Sequence, residues 1–210
     1  MATDPLWLGW AREIQAIAQT GLAFGPNEYD RERYERLRGL AAEIMARHTE
    51  ASTPRIEALF AAQQGYATPK VDVRGAAFDD AGRVLMVREV ADQGRWTLPG
   101  GWADVNLTPA ENVAREMREE SGYSVRVRKL AAAWDRTRQG HAPGVFSCVK
   151  LFFICDIVGG EARTSGETSE IGWFAQDALP ADISRDRTLP AQLHRMFAHQ
   201  RDATLPADFD

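Results

Sequence analysis

The chain has 210 residues and is 44% hydrophobic, enough for one ordinary core or for a core with a small accessory unit. A net charge of −5 excludes any general attraction to nucleic acid or anionic lipid, although a local basic patch is compatible with it. No apolar run approaches the roughly 18–20 residues that span a bilayer, and MATDPLWLGW carries an aspartate where a signal peptide carries positive charge, so the expectation is a cytoplasmic protein with no membrane partner.

The first third reads as helix. Trp7, Trp10, Ala11, Ile14, Ile17 and Ala18 recur at three- and four-residue steps and make one apolar stripe. Asp4 followed by Pro5 predicts a cap with proline in the first turn. TGLAFGPNEYD interrupts the pattern as a helix–helix connection would, and a second stripe follows in Tyr34, Leu37, Leu40, Ala41, Ile44 and Met45. A third short helix is predicted over residues 54–64. So few helices cannot enclose much apolar surface alone, so their stripes must pack on each other and on something else. Two partners remain open: the rest of the chain, or a second copy in a homodimer that uses Trp7, Trp10 and Tyr34.

From ATPK onward the texture changes. VDVRGAAF and RVLMVREV are strand-like runs joined by DDAG, a hairpin-turn signal. WTLPGGWADVNLTP reads as a loop, residues 109–121 as a helix closed by Gly122, and YSVRVRKLAAAW as an alternating strand. VFSCVKLFFICDIV is a longer, more buried strand. Its two cysteines, Cys148 and Cys155, stand an odd number of residues apart, on opposite faces, which predicts free buried thiols suited to a reducing compartment. GGEARTSGETSE is a loop, IGWFA a short strand, and residues 189–201 a closing helix. The fold class is α+β: a small all-helical N-terminal domain over residues 1–66, then a catalytic-size domain over residues 67–210.

Within the predicted helix, REMREESG gathers three glutamates. At about 100° per residue, Glu120 lies about 40° to one side of Glu116 and Glu119 about 60° to the other, so all three share one face. Ala110, Val113, Ala114 and Met117 take the neighbouring face, and Arg115 stands one turn before Glu119, where a guanidinium can hold a carboxylate. Each pair of carboxylates at about 4 Å repels by roughly 4 kcal/mol at an effective dielectric near 20. Water and salt remove most of that on a surface, so charge alone leaves a solvated face and a cation site both open. The glycines of LPGGW, which let backbone carbonyls approach an ion, favour the second, and oxygen-only ligands point to Mg²⁺, Mn²⁺ or Ca²⁺.

GGWADVNLTPAENVAREMREESGY resembles the Nudix box, G-x5-E-x7-R-E-U-x-E-E-x-G-U with U a large apolar residue. The chain matches at Gly101, Arg115, Glu116, Met117, Glu119, Glu120 and Gly122; Tyr123 fills the last apolar position. Leu107 stands where the pattern has its first glutamate, with Glu111 a partial substitute. The order of elements over residues 68–205 is similar to a whole Nudix domain, which implies an α/β/α sandwich with a mixed sheet. WLGWAREIQAIAQTGL and YDRERYERLRGLAAEIMA are similar to the helical extension of a bacterial subgroup that includes CDP-choline pyrophosphatases and enzymes called ADP-ribose pyrophosphatases.

The resemblance implies hydrolysis of a nucleoside diphosphate linked to a moiety X, by water attack on one phosphorus, with Mg²⁺ or alternatively Mn²⁺. On it Glu116, Glu119 and Glu120 are metal ligands, a Gly100 or Gly101 carbonyl is a further one, and Arg115 orients them. The general base is a box glutamate or one from SGETSEIGWF, with Glu167 the first choice and Glu170 the second. Candidate substrate contacts are Arg136, Arg138 and His141 in DRTRQGHAPG, Lys150 in an apolar strand, and Trp96 and Trp102 flanking the glycine loop. Two rivals share the fold: an RNA-end-processing or exonucleolytic hydrolase, disfavoured by the acidic charge, and a non-catalytic nucleotide-binding module.

Overall fold

A computed structural model describes residues 4–25 and 27–210, which divide into two compact units. The first takes the chain up to Pro69 together with Pro143–Ser147; the second is Lys70–Ala142 with Cys148–Asp210.

The first unit is three helices, α1 (Leu6–Ala23), α2 (Glu28–Arg47) and α3 (Thr53–Ala61). Asn27 caps α2 by accepting the Asp30 N–H. Asp4 does not cap α1; it ion-pairs with Arg12 at 2.5 Å, and Arg12 also donates to the Gly144 carbonyl at 3.0 Å, which ties segment 143–147 to this unit. Leu8, Ala11, Ala41, Ala42, Met45, Ile56 and Phe60 form its core. Small residues at the α1–α2 contact let the backbones approach, and a Cβ on Gly21 would fall 2.4 Å from the Tyr34 ring. The α1 stripe therefore divides. Ala11 and Ala18 are buried, whereas Trp10 and Ile17 join Leu6 and Phe24 in an exposed apolar line.

The second unit carries β1 (Lys70–Ala77), β2 (Val84–Glu89), β3 (Arg95–Thr97), α4 (Pro109–Ser121), β4 (Tyr123–Asp135), β5 (Cys148–Gly160), β6 (Thr168–Phe174), α5 (Pro190–Arg201) and β7 (Asp208–Phe209). One sheet has the order β1-β5-β4-β7, the other β3-β2-β6. The DDAG turn forms, with the Gly82 N–H donating to Asp79 O at 2.9 Å, yet a hairpin does not. Beyond a single bridge between Phe78 and Val84 the strands diverge, β1 pairing in parallel with β5 and β2 antiparallel with β3 and β6. Strand β3 overlaps the start of the stretch that reads as loop, since three residues are too few to show an alternation.

Helix α4 covers one face through Val113 and Met117, which pack with Val73, Ala77, Leu85, Phe153 and Cys155. Burial of each such side chain contributes about 1.5–3 kcal/mol. Helix α5 covers the other through Leu193, Met196 and Phe197, against Ala76, Val84, Met86, Phe152 and Ile154. The second unit is thus an α+β sandwich with a helix on each side and two sheets, β1-β5-β4-β7 mixed and β3-β2-β6 antiparallel. Cys148 and Cys155 are free and buried. No described helix is long and apolar enough to cross a membrane.

Candidate active site

Helix α4 starts with a reciprocal cap: Thr108 Oγ1 accepts the Glu111 N–H, and Glu111 Oε2 accepts from the Thr108 N–H at 2.8 Å. Glu111 is spent on this cap. The loop before the helix is held instead by Asn112, fully buried, whose Oδ1 accepts the Asp104 N–H at 2.8 Å. Its amide donates to the carbonyls of Asp104, Leu107 and Thr108. A loop laced in this way does not need a glutamate at Leu107.

The glycine loop lies along β1. Val73 N–H donates to Gly101 O at 2.8 Å and Gly75 N–H to Pro99 O at 2.9 Å. Gly100 has φ +141°, and a Cβ there would fall 2.0 Å from Val73 O, so only glycine fits. Its N–H donates to Glu120 Oε2 at 2.8 Å, which fixes the deepest of the three box carboxylates. The Gly101 carbonyl accepts the Val73 N–H with one lone pair and keeps a second, and no hydrogen bond among the described residues occupies the Gly100 carbonyl.

Arg115 gathers the other acids. Its Nη1 donates to Glu119 and its Nη2 to Glu116, each at 2.7 Å, and Nη2 also reaches Asp104 at 2.8 Å. Burial raises Glu120 to about 8, against the favourable charge of Arg74 and the Gly100 hydrogen bond. Burial also raises Glu116; Arg115 offsets part of this, and Glu119 and Glu167 add to it. The site is short of positive charge for the carboxylates it holds.

Loop 161–167 is joined to the end of α4. Arg163 N–H donates to Ser121 O at 3.0 Å, and the buried Thr168 hydroxyl donates to Glu120 O at 2.7 Å while accepting the Ser165 N–H at 3.2 Å. Val90 N–H holds the Glu167 carbonyl from the far side at 2.9 Å. Glu167 is thereby exposed over the box acids, close enough to oppose ionisation of Glu116 and Glu89. Glu170 faces away on β6, 3.8 Å from Arg88.

The expected substrate contacts are not gathered into one site. Trp96 is core, 7% exposed and edge-on to Phe174, so it presents no face for a base to stack on. Lys150 is 2% exposed and bonded to Asp72 at 2.7 Å; burial and then the Arg74 charge lower its ammonium to about 8. His141 is buried, with Nδ1 2.8 Å from Arg185 O and Nε2 3.1 Å from Gln192, and burial lowers it to about 4. These last two are internal polar groups. Arg136 pairs with Asp186 at 3.4 Å, and Arg138 and Trp102 are exposed.

Several residues at the site were passed over in the sequence. Asp104, Asn112 and Thr168 look like ordinary loop and turn residues there. Asp72 and Arg74, paired at 2.7 Å beneath the glycine loop with Arg74 donating to Leu98 O, leave one trace: charges at alternate positions of an apolar strand. Glu89, at the end of β2, pairs with Arg187 through Oε1, while its buried Oε2 has no hydrogen-bond partner among the described residues.

Glu116, Glu119, Glu120 and the glycine-loop carbonyls offer only oxygen donors, and burial without enough cations, with an orphaned Glu89 oxygen nearby, would suit a hard divalent ion. Among the described residues no three acid, histidine or cysteine side chains converge on one point, because Glu116 and Glu119 are turned to Arg115.

Residues 68–193 match the NUDIX domain family, and residues 5–60 match the UDP-X-like, N-terminal oligomerisation domain. A Bacillus subtilis protein named "Putative ADP-ribose pyrophosphatase YjhB" is 42% identical over 97% of both chains. An ADP-ribose pyrophosphatase of Methanocaldococcus jannaschii is 30% identical over 55% of this chain and 67% of its own. Among solved structures, an ADP-ribose pyrophosphatase from Streptococcus suis superposes with a TM-score of 0.62 at 32% identity, covering 68% of this chain and all of that one. A UDP-X diphosphatase gives 0.61 at 28% identity over the full length of both.

Proposed function

The chain belongs to the Nudix hydrolase family, and on that premise we propose that it is a divalent-metal-dependent pyrophosphohydrolase. Its substrate would be a nucleoside diphosphate linked to a moiety X, of the ADP-ribose or CDP-choline class. Its products would be a nucleoside monophosphate and a phosphorylated X. The observation that carries this reading is the convergence of one helix face with one loop: Glu116 and Glu120 are buried along α4, and Thr168 ties the Glu167 loop to the same helix end. A binding module has no need to bury two carboxylates against their own charge. The names of the relatives favour ADP-ribose over the other class members.

Glu116, Glu119, Glu120 and a Gly100 or Gly101 carbonyl would hold Mg²⁺ or Mn²⁺, Gly101 with the lone pair that its bond from Val73 N–H leaves free. When bound, such an ion neutralises the phosphates and lowers the pKa of the attacking water. Arg115 keeps Glu116 and Glu119 on one side of α4, and the Gly100 N–H keeps Glu120 directed at the glycine loop. Glu167, exposed and without a bonded cation among the described residues, is the group we assign to accept the water proton. In the second copy of a homodimer, the exposed line of Leu6, Trp10, Ile17 and Phe24 would find an identical face. The free buried cysteines suit the cytosol. The test is release of nucleoside monophosphate from ADP-ribose, CDP-choline, sugar nucleotides and short RNA with Mg²⁺ or Mn²⁺. Hydrolysis of the nucleoside diphosphate-X substrates is expected; cleavage of RNA alone would overturn the reading.

A further inference from the structure

The cations around the box acids are mostly engaged. Arg115 is divided among Glu116, Glu119 and Asp104. Arg74 is fully buried beneath the glycine loop, bound to Asp72 and to Leu98 O, where no substrate reaches it. A third guanidinium, that of Arg187, pairs at 2.5 Å with Glu89 Oε1 and keeps 29% of its side chain exposed. Glu89 brings it to the site. This carboxylate ends β2 opposite Thr168 of β6, the residue whose hydroxyl bonds Glu120 O, and the next residue, Val90, holds the Glu167 carbonyl. Glu89 is close enough to Glu120 and Glu167 that their charges oppose one another's ionisation. The segment that carries Arg187 is fixed at several points. Ser184 N–H donates to Trp96 O at 2.8 Å, Arg187 N–H and Thr188 N–H donate to Ser184 O at 3.0 and 2.9 Å, and the buried Thr188 and Thr97 hydroxyls meet at 3.0 Å. Among the described residues no second acid or carbonyl bonds the Arg187 guanidinium, so most of its five donors are free.

Resting on the hydrolase reading above, we propose that Arg187 is a substrate-binding residue whose guanidinium meets a phosphate of the nucleoside diphosphate, with Glu89 holding it beside the box until the substrate arrives. A pyrophosphate approaching this site meets a wall of carboxylates. A guanidinium with free donors offers its non-bridging oxygens a two-pronged, charge-assisted contact. The bond to Glu89 uses one carboxylate oxygen and is partly exposed, so it can be exchanged for a phosphate at little cost. The contact is made to the pyrophosphate, which ADP-ribose and CDP-choline share, and is therefore indifferent to the charge of X.

The experiment is steady-state kinetics of the full chain with Mg²⁺ on whichever of ADP-ribose and CDP-choline it hydrolyses. Arg187→Gln should raise KM about tenfold and change kcat by less than about threefold, as expected for loss of one partly exposed charge-assisted contact. Arg187→Lys, which keeps the charge and loses the fork, should recover part of the KM. A residue that merely neutralised Glu89 would lose its importance once Glu89 is neutral. Arg187→Gln is therefore also made in Glu89→Gln, a background that leaves no unpaired charge should the single variant fail to fold. There it should again raise KM about tenfold over Glu89→Gln alone. An unchanged KM in that background, or in the single variant, overturns the contact. Should neither compound be hydrolysed, the hydrolase reading fails, and calorimetric titration of the same proteins with ADP-ribose and Mg²⁺ still decides. Binding weakened about tenfold by Arg187→Gln in both backgrounds supports the contact; equal affinity, or no binding by the wild type, overturns it.

Discussion

Glu120 carries the sharpest conflict in the molecule at the scale of single residues. It is 4% exposed, raised to about 8 by burial, and held by one backbone N–H. A carboxylate placed so is kept at a cost in stability. Glu120→Gln keeps the shape and the Gly100 hydrogen bond, so it should lower kcat/KM by at least about a hundredfold without lowering the melting temperature. Loss of both activity and stability in a melting curve would mark Glu120 as merely structural. His141 makes a prediction of the opposite kind. It is buried as the neutral ring, with its pKa lowered from 6.5 to about 4, so the unfolded chain binds its proton first as pH falls. Its stabilising contribution is present above pH 6.5 and lost between 6.5 and 4, amounting to at most about 3 kcal/mol. Thermal unfolding across that window should show a flatter pH dependence in His141→Gln than in the wild type. Equal slopes would mean that the ring is protonated in the fold.

At the scale of elements, the junction between α4 and loop 161–168 holds the site together. Gly122 ends the helix at φ +78°, and a Cβ there would lie 2.3 Å from Glu161 O, so this glycine both caps the helix and admits the loop. Thr168 adds the hydroxyl bond to Glu120 O. Thr168→Val preserves shape and β-branching while leaving a buried carbonyl unpaired, which costs about 1–3 kcal/mol. It should also reduce kcat more than KM by freeing Glu167, with Thr168→Ser restoring both; a valine variant with wild-type kcat would show that the loop does not need the staple. Much of this element was legible in the sequence. The helix bounds, the shared face of the glutamates and the terminal glycine follow from a 3.6-residue period and local turn chemistry. The staple was not, because it joins Thr168 to a carbonyl 48 residues away and no local pattern records it. The same limit explains DDAG, where the turn is local but the pairing of β1 with β5 is not. It explains Lys150 as well, whose cross-strand partner Asp72 turns a possible phosphate contact into an internal ion pair.

For the whole molecule, a change of hydrophobic period near residue 67 marks a helical and a strand-rich part, whereas the compact units meet at Lys70 and the first also takes Pro143–Ser147, which no local pattern assigns to it. Which apolar residues each unit buries does not follow from the period either. Trp10 and Ile17 belong to the α1 stripe by spacing, yet they stand 58% and 52% exposed because the small residues Ala11 and Ala18 make the contacts inside the unit. Trp10→Glu with Ile17→Glu should convert a dimer to a monomer in light scattering without unfolding the helices; an unchanged mass would place any interface elsewhere. The account as a whole stands on hydrolysis by the α4 carboxylates. Its most direct test is ³¹P NMR of ADP-ribose incubated with Mg²⁺ and either the wild type or Glu120→Gln. AMP and ribose 5-phosphate should form with the wild type, stop on chelation, and be nearly absent with the variant. Equal product formation by the variant, or formation that survives chelation, would contradict it.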